Sequence, residues 1–251
     1  MEKIRKALVT GATSGIGYAI TEQFLGNNMF VIASGRSKPP PTYNNVNNKN
    51  INYYPTDLSQ NENVENLFKF AIEKLEGVPD IMVVNAGIGL SGTLLTSDKS
   101  QWAELFDINC KSTFYQLKTI AELMLKSIKE NRNYKNNRKD IVIISSLVGR
   151  VVSEVNSVYG ATKFALTSLA ESLRKEICHS FIRVTVIEPG FVKTNFQERA
   201  GYDLMAFDLM EKEYGPFLTP QDIAAQVLFI VNQPLHVNIS NIIIRPTRQK
   251  S

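Results

Sequence analysis

Short apolar runs rich in β-branched residues alternate with longer amphipathic stretches along almost the whole of this 251-residue chain. The strand-like runs lie at residues 7–10, 30–34, 51–54, 81–84, 141–145, 184–187 and 242–244, and the helix-like stretches at 15–26, 61–75, 102–129, 158–179 and 220–231. Apolar strands joined by helices form parallel sheets, because right-handed crossovers place helices on both faces. The pattern predicts an α/β fold, a doubly wound parallel sheet of about seven strands in a single domain over residues 1–251.

Two stretches interrupt this alternation. Residues 37–50 contain three consecutive prolines, Pro39 to Pro41, and then an Asn-rich run, so we expect a surface loop there. The sequence leaves the role of the Asn-rich segment 42–50 open. Residues 191–218 are longer than an ordinary connection and mix apolar with charged side chains. They suit either a small helix packed on the domain or a lid, and we favour a lid because open α/β sheets bind ligands where their strands end.

The charge balance excludes several classes of protein. The 28 basic and 24 acidic residues leave a net charge of +4, too balanced to indicate a nucleic-acid or membrane-surface partner. The longest nearly continuous apolar run, 223–231, is far too short to span a membrane. Cys110 and Cys178 lie far apart, and His179 and His236 are isolated. We therefore expect a cytoplasmic protein with a small-molecule substrate and no metal ion.

Three glycines separate the first strand from the first helix, in the sequence TGATSGIG at residues 10–17. Gly11 would allow a sharp turn, Gly15 a close approach of a diphosphate to the backbone, and Gly17 close packing of the helix on the sheet. Amides at the helix N-terminus would then face the phosphates. The turn predicts a Rossmann-type dinucleotide site contacted by Gly11, Thr13, Ser14, Gly15, Ile16 and Gly17.

The end of the second strand indicates which dinucleotide binds. NAD sites usually place a carboxylate there, about 20 residues after the glycines, to hold the ribose hydroxyls. Residues 31–38, VIASGRSK, contain no acid but do contain Arg36. Its guanidinium can bind a 2′-phosphate, with Ser14, Ser37 or Lys38 assisting, although it could also be an ordinary surface arginine. The missing acid and the added arginine predict NADP(H).

Tyr159 and Lys163 are four residues apart, which places them on one face of a helix. A free tyrosine titrates near ~10, too high for a proton shuttle at neutral pH. A cation ~4 Å away would interact by ~4 kcal/mol at an effective dielectric of ~20, enough to lower the pKa of the phenol substantially. By itself this pair is a weak signal of catalysis. It is strengthened by Ser146, which lies at the end of a predicted strand, thirteen positions before Tyr159.

With these residues the chain resembles the short-chain dehydrogenase/reductase family over nearly its whole length. The shared motifs, in order and spacing, are residues 10–17, Asp57, Asn85-Ala86-Gly87, Asn109, Ser146, Tyr159 with Lys163, and Pro189-Gly190.

The resemblance implies roles for these residues. Tyr159 would be the general acid/base, Lys163 would hold the nicotinamide ribose and lower the tyrosine pKa, and Ser146 would hydrogen-bond the substrate oxygen. Asn109 would hold a water in the proton relay. Ser145 competes with Ser146, but the spacing favours Ser146, and a strand-end cap suits Ser145 better. Further implied cofactor contacts are Asp57 at adenine, Leu58, Asn85, Ala86 and Gly87 beside the ribose, and Pro189, Gly190, Val192 and Thr194 at the carboxamide.

Within the family the chain resembles the NADP-dependent 3-hydroxy acid and serine dehydrogenases, through Tyr159–Lys163, VTVIEPG at 184–190, LTPQD at 218–222 and HVNI at 236–239. That implies a small hydroxy acid or alcohol, or the matching ketone, as substrate, and a homotetramer. Arg150 and Arg199 are candidates to bind a substrate carboxylate, although both could be structural. A general carbonyl or 3-oxoacyl reductase is the alternative enzyme, and a non-enzymatic NADP-binding regulator is the alternative of another class. Ser146, Tyr159 and Lys163 argue against a regulator, which needs no proton relay.

Overall fold

A computed structural model describes residues 4–38, 40–44, 48–130 and 138–250. Its seven parallel strands form one sheet with the order β3-β2-β1-β4-β5-β6-β7. The chain runs outward from β1 to β3 and then returns to place β4 beside β1, which opens a crevice at their carboxyl ends. The predicted doubly wound, Rossmann-type sheet is confirmed. The strands are β1 Lys6–Thr10, β2 Phe30–Gly35, β3 Ile51–Pro55, β4 Ile81–Val84, β5 Lys139–Ile144, β6 Ile182–Pro189 and β7 Asn241–Ile244.

Helices cover both faces of the sheet. The α-helices are α1 Gly15–Gly26, α2 Asn61–Leu75, α3 Trp102–Phe106, α4 Thr113–Glu130, α5 Ser157–Ile177, α6 Phe196–Arg199, α7 Leu204–Tyr214 and α8 Pro220–Val231. Successive residues of a strand point to opposite faces, so Ala7 and Val9 pack towards α1 and α8, whereas Leu8 packs towards α2, α4 and α5. Both faces are apolar and buried, which explains the continuous apolar runs in the sequence.

The predicted helix 102–129 is interrupted. Residues Asp107–Ser112 form a π-helical segment between α3 and α4. An apolar repeat cannot reveal this change, because widening one turn leaves the side chains on nearly the same face. Such segments occur frequently at functional sites, and this one contains Asn109.

β5 and β6 begin earlier than the apolar runs suggest, because they contain buried charged pairs. The Lys139 ammonium lies 3.0 Å from an Asp80 carboxylate oxygen, and Arg183 Nε lies 2.7 Å from Asp140 Oδ1. Partnered in this way, charged side chains can occupy a sheet interior.

The two irregular stretches differ in how far they are described. Residues 191–218 contain α6 and α7, and the rings of Phe191, Phe207 and Phe217 pack together at their base. In the predicted loop 37–50, Pro39 and residues 45–47 lie outside the described residues, and so do residues 131–137, which follow α4. No helix within the described ranges combines the length and apolar character needed to cross a membrane.

Candidate active site

The glycine turn after β1 has the backbone that its sequence predicts. Gly11 and Gly15 have positive φ angles of +65° and +54°, which favour glycine. A Cβ on Gly17 would lie 2.3 Å from the carbonyl oxygen of Gly11, so only glycine lets α1 approach the turn this closely. Gly17 therefore allows α1 to pack closely against the turn, and it does not line the cleft described below.

Asn85, at the end of β4, holds the same turn. Its Nδ2 donates hydrogen bonds to the carbonyl oxygens of Thr10 at 3.0 Å and Gly11 at 3.1 Å. The sequence suggested that Asn85, with Ala86 and Gly87, lines the ribose side of the cofactor. All three residues border the cleft, but the Asn85 amide is engaged in fixing the glycine turn. This structural role could not be read from the sequence, because the residues it joins are 74 and 75 positions away.

A cleft of about 1540 Å³ runs along the carboxyl edge of the sheet. Its volume exceeds the roughly 300–1,000 Å³ of ordinary ligand pockets, so a dinucleotide and a substrate fit side by side. The structure brings most of the predicted site residues to this cleft. They are Gly11, Thr13, Ser14, Gly15, Ile16, Arg36, Asp57, Leu58, Asn85, Ala86, Gly87, Ser146, Tyr159, Lys163, Pro189, Gly190, Val192 and Thr194.

At one end of the cleft, Arg36 and Asp57 follow β2 and β3. Arg36 is exposed and, within the part of the chain that is described, has no ion-pair partner. Asp57 Oδ1 accepts a hydrogen bond from the Ser59 amide at 3.0 Å, which fixes the turn that leads into α2. This end of the cleft therefore offers a free guanidinium at the end of β2, where NAD sites place a carboxylate.

Ser146, Tyr159 and Lys163 meet at the middle of the cleft. Tyr159 lies in the first turn of α5 and is 6% exposed, and Ser146, just after the end of β5, is close enough to its hydroxyl to lower its pKa. One helical turn later, Lys163 Nζ lies 5.6 Å from the centre of the Tyr159 ring and donates to the carbonyl oxygen of Ile144 at 3.3 Å. The predicted constellation is therefore present in space.

The electrostatics of this pair differ from the expectation. Burial, aided by the nearby Tyr202, raises the pKa of Tyr159 above the ordinary 10.0, and the hydrogen bond from Ser146 lowers it only in part. Burial also lowers the pKa of Lys163 from 10.5 to about 8. We expected the ammonium to lower the pKa of the phenol, but burial raises it.

Ser146, and not Ser145, has the capping role at the end of β5. Ser146 Oγ accepts a hydrogen bond from the Val148 amide at 3.4 Å and so caps the short 3₁₀ turn Leu147–Gly149, a role that we assigned to Ser145. Ser145 points to α5, with its Oγ 3.3 Å from that of Thr167. Ser146 is nevertheless the serine that contacts Tyr159, so its choice over Ser145 agrees with the geometry.

Asn109 lies behind the cleft and is 1% exposed. Its Oδ1 accepts from the Ile88 amide at 2.9 Å, and its Nδ2 donates to the Ile88 carbonyl at 2.8 Å and to Thr162 Oγ1 at 3.2 Å. A Cβ on Gly87 would lie 3.1 Å from Asn109 Oδ1 and 3.7 Å from Lys163 Nζ, so these groups are neighbours. The side chain of Asn109 is thus occupied in fixing the loop after β4.

Three residues that the sequence did not single out close the other side of the cleft. The Phe196 ring of α6 packs 5.7 Å from that of Tyr159. The Tyr202 hydroxyl donates to Asn156 Oδ1 at 2.7 Å, and burial raises the pKa of Tyr202 to about 12. Their only sequence signal was that Phe196 and Tyr202 lie in the stretch 191–218.

The two arginines considered for a substrate carboxylate both have other partners, and only Arg199 lines the cleft. Arg150 Nε donates to the buried Glu188 at 2.8 Å, and Arg150 does not line the cleft. Arg199 lines the cleft, but its Nη1 reaches Ser14 in the glycine turn at 3.5 Å. Among the described residues, no group of three or more His, Cys, Asp or Glu could hold a metal ion.

Comparisons with known proteins agree with this geometry. The family model for short chain dehydrogenases matches residues 5–204. An uncharacterized oxidoreductase of Staphylococcus aureus (strain MW2) is 31% identical over 242 residues, covering 96% of each chain. Dehydrogenase/reductase SDR family member 11 of Mus musculus is 32% identical over 98% of this chain and 95% of its own. The closed form of serine dehydrogenase complexed with NADP⁺ superposes with a TM-score of 0.82 at 27% identity, over 98% of this chain and 96% of that one.

Proposed function

Because the chain belongs to the short-chain dehydrogenase family, and is thereby an oxidoreductase, we propose that it is an NADP(H)-dependent enzyme that interconverts an alcohol and a ketone. Its substrate is a small hydroxy acid or a simple alcohol or ketone. The observation that carries this proposal is the meeting of Ser146, Tyr159 and Lys163 in a cleft that begins at the glycine turn.

The cleft residues fit an NADP(H) molecule. Gly11 and Gly15 leave bare backbone with positive φ at the N-terminus of α1, where the diphosphate would lie. Arg36 has no ion-pair partner in the described chain and would hold the 2′-phosphate, while Lys163 would hold the nicotinamide ribose. The similar serine dehydrogenase structure is complexed with NADP⁺, which supports the same choice.

When bound, NADP(H) supplies or accepts the hydride at its nicotinamide ring. In ketone reduction Tyr159 donates the proton of its hydroxyl to the carbonyl oxygen, and in alcohol oxidation the phenolate takes a proton back. Ser146 Oγ donates a hydrogen bond to the same oxygen and stabilises the charge that develops there. Burial raises the pKa of Tyr159, so at neutral pH the phenol carries the proton that it would donate in ketone reduction.

Cytoplasmic location and assembly as a homotetramer belong to the same proposal. Two widely spaced cysteines, both free, support the first. Exposed aromatic side chains on separate faces support the second. Residues 191–218 form the lid in this proposal, because Phe196 in this segment packs against the catalytic tyrosine.

Replacement of Tyr159 tests the chemistry. A screen of alcohols, hydroxy acids and ketones, followed by NADPH absorbance, first identifies a substrate. Tyr159→Phe should then lower kcat by about 10²–10⁴-fold, the usual contribution of a general acid, because the proton donor is removed. NADPH affinity should stay within about twofold. Tyr54→Phe in β3, whose ring packs against Phe70 and does not line the cleft, is the matched control and should retain full activity. Turnover that survives in Tyr159→Phe would disprove the assignment.

A further inference from the structure

Arg199, the last residue of α6, faces the glycine turn from the opposite side of the cleft. Its Nη1 donates to Ser14 Oγ at 3.5 Å, across 185 positions of sequence. We infer that Arg199 binds the diphosphate of the dinucleotide and thereby links closure of residues 191–218 to cofactor binding. This inference rests on the proposed use of NADP(H).

The contacts of α6 make it a bridge between the two halves of the site. At its start, Phe196 packs against Tyr159, and just after its end the Ala200 carbonyl accepts from the Ser91 amide at 3.0 Å. The Gln197 amide donates to the Val192 carbonyl at 2.9 Å. Because α6 is held at both ends, a movement of Arg199 would also move the Phe196 ring that packs beside the catalytic tyrosine.

The charge of Arg199 is unbalanced where it lies. No acidic partner is within ion-pair distance among the described residues, and the first turn of α1 contains no acidic residue. Ser14 is the residue before α1, and its side chain does not cap that helix. A guanidinium beside a helix N-terminus faces the positive end of the dipole, which is unfavourable. A bound phosphate that contacts both groups would make both interactions favourable, because helix N-termini and arginines both bind phosphates.

Ser14 was also predicted to assist at the 2′-phosphate, but the other contact of this segment with the glycine turn favours the diphosphate. Thr194, from the same segment, lies 3.4 Å from where a Cβ of Gly15 would be, so the segment approaches the turn at the glycine closest to the diphosphate. Arg36 follows β2 at the ribose end. The structure thus provides one arginine for each phosphate group.

Binding of two cofactor fragments tests this division, without any need for a known substrate. ADP-ribose carries the diphosphate alone, and adenosine 2′-monophosphate carries the 2′-phosphate alone. Arg199→Ala should weaken ADP-ribose about tenfold or more, the loss of one charged hydrogen bond, and leave the 2′-monophosphate within about twofold. Arg36→Ala should show the opposite pattern. Lys193→Ala, which removes an exposed lid cation paired with Glu211 at 2.7 Å, is the control and should change neither.

Hydrogen exchange tests the link to the lid. NADPH should protect amides of residues 191–218 in the wild type, and this protection should be lost in Arg199→Ala at saturating NADPH. Unchanged ADP-ribose affinity in Arg199→Ala, or a loss confined to the 2′-monophosphate, would overturn the inference while the proposed function stands. A wild-type protein that binds neither NADPH nor the fragments would instead overturn the proposed function itself.

Discussion

Lys163 shows how a residue proposed to act in catalysis can lower the stability of the fold around it. Its side chain is buried, and burial lowers its pKa to about 8 from 10.5. Below pH 8 the lysine is charged in both the folded and unfolded states, so the native state bears the whole desolvation cost, about 3 kcal/mol by the usual ~1.4 kcal/mol per pKa unit. Between pH 8 and 10.5 the unfolded chain binds more protons than the native one, and this cost fades as pH rises.

We therefore expect Lys163→Met, without cofactor, to be more stable than the wild type at pH 7, by up to about 3 kcal/mol. The advantage should shrink steadily from pH 8 to pH 10, because the wild type then loses its buried charge. Urea unfolding of both proteins across this range measures the difference. A less stable variant at pH 7, or a difference independent of pH, would contradict the assigned burial of charge.

Which residues form the site could largely be predicted, but the bonds they make could not. Ser146, Tyr159 and Lys163 are fixed by spacing along one strand end and one helix, which is local information. The engagement of Asn85 with the glycine turn, of Arg150 with Glu188, and of Arg199 with Ser14 depends on pairing between distant segments. Tyr202 was missed for the same reason, because its partner Asn156 is 46 residues away.

At the scale of elements, the packing of α1 on the glycine turn gives a sharp prediction. Gly17→Ala would place a Cβ 2.3 Å from the Gly11 carbonyl oxygen, so α1 or the turn must move. We expect a loss of about 1–3 kcal/mol in the free energy of unfolding and at least tenfold weaker NADPH binding. Gly26→Ala, at the other end of the same helix, has nothing within 4 Å and should be neutral or stabilising by up to about 1 kcal/mol. Equal stability and affinity in the two variants would refute this account of the turn.

The elements were predictable where local signals mark their ends. The bounds 15–26, 61–75 and 220–231 agree with α1, α2 and α8, and α8, for example, begins with a capping box at Thr219 followed by a proline. The π-helical segment around Asn109 was missed because it changes backbone hydrogen bonds more than side-chain pattern. Helices α6 and α7 were left as a lid or a packed helix, because their exposed residues Leu204, Met205 and Leu209 weaken any apolar stripe.

At the scale of the whole molecule, apolar side chains remain exposed on two separate faces. Tyr115 and Phe164 are about two-fifths exposed on the neighbouring helices α4 and α5 (42% and 40%). Phe229 on α8 and Ile243 on β7, the strand at the edge of the sheet, are 53% and 40% exposed. Closed oligomers use self-complementary faces, and two different faces of this kind generate a tetramer with three two-fold axes.

We therefore predict a native mass of four times the 28.2 kDa chain, measured by light scattering after size exclusion. Phe229→Glu should reduce it to a dimer, because a charge buried in one interface leaves only the other intact. Phe164→Glu should give a dimer that uses the opposite pair of surfaces, so combining both changes should yield monomers. Leu209→Glu on the lid, exposed by 63% but on neither face, is the control and should remain a tetramer. A monomeric wild type, or a Phe229→Glu variant that stays tetrameric, would show that these faces do not join copies of the chain.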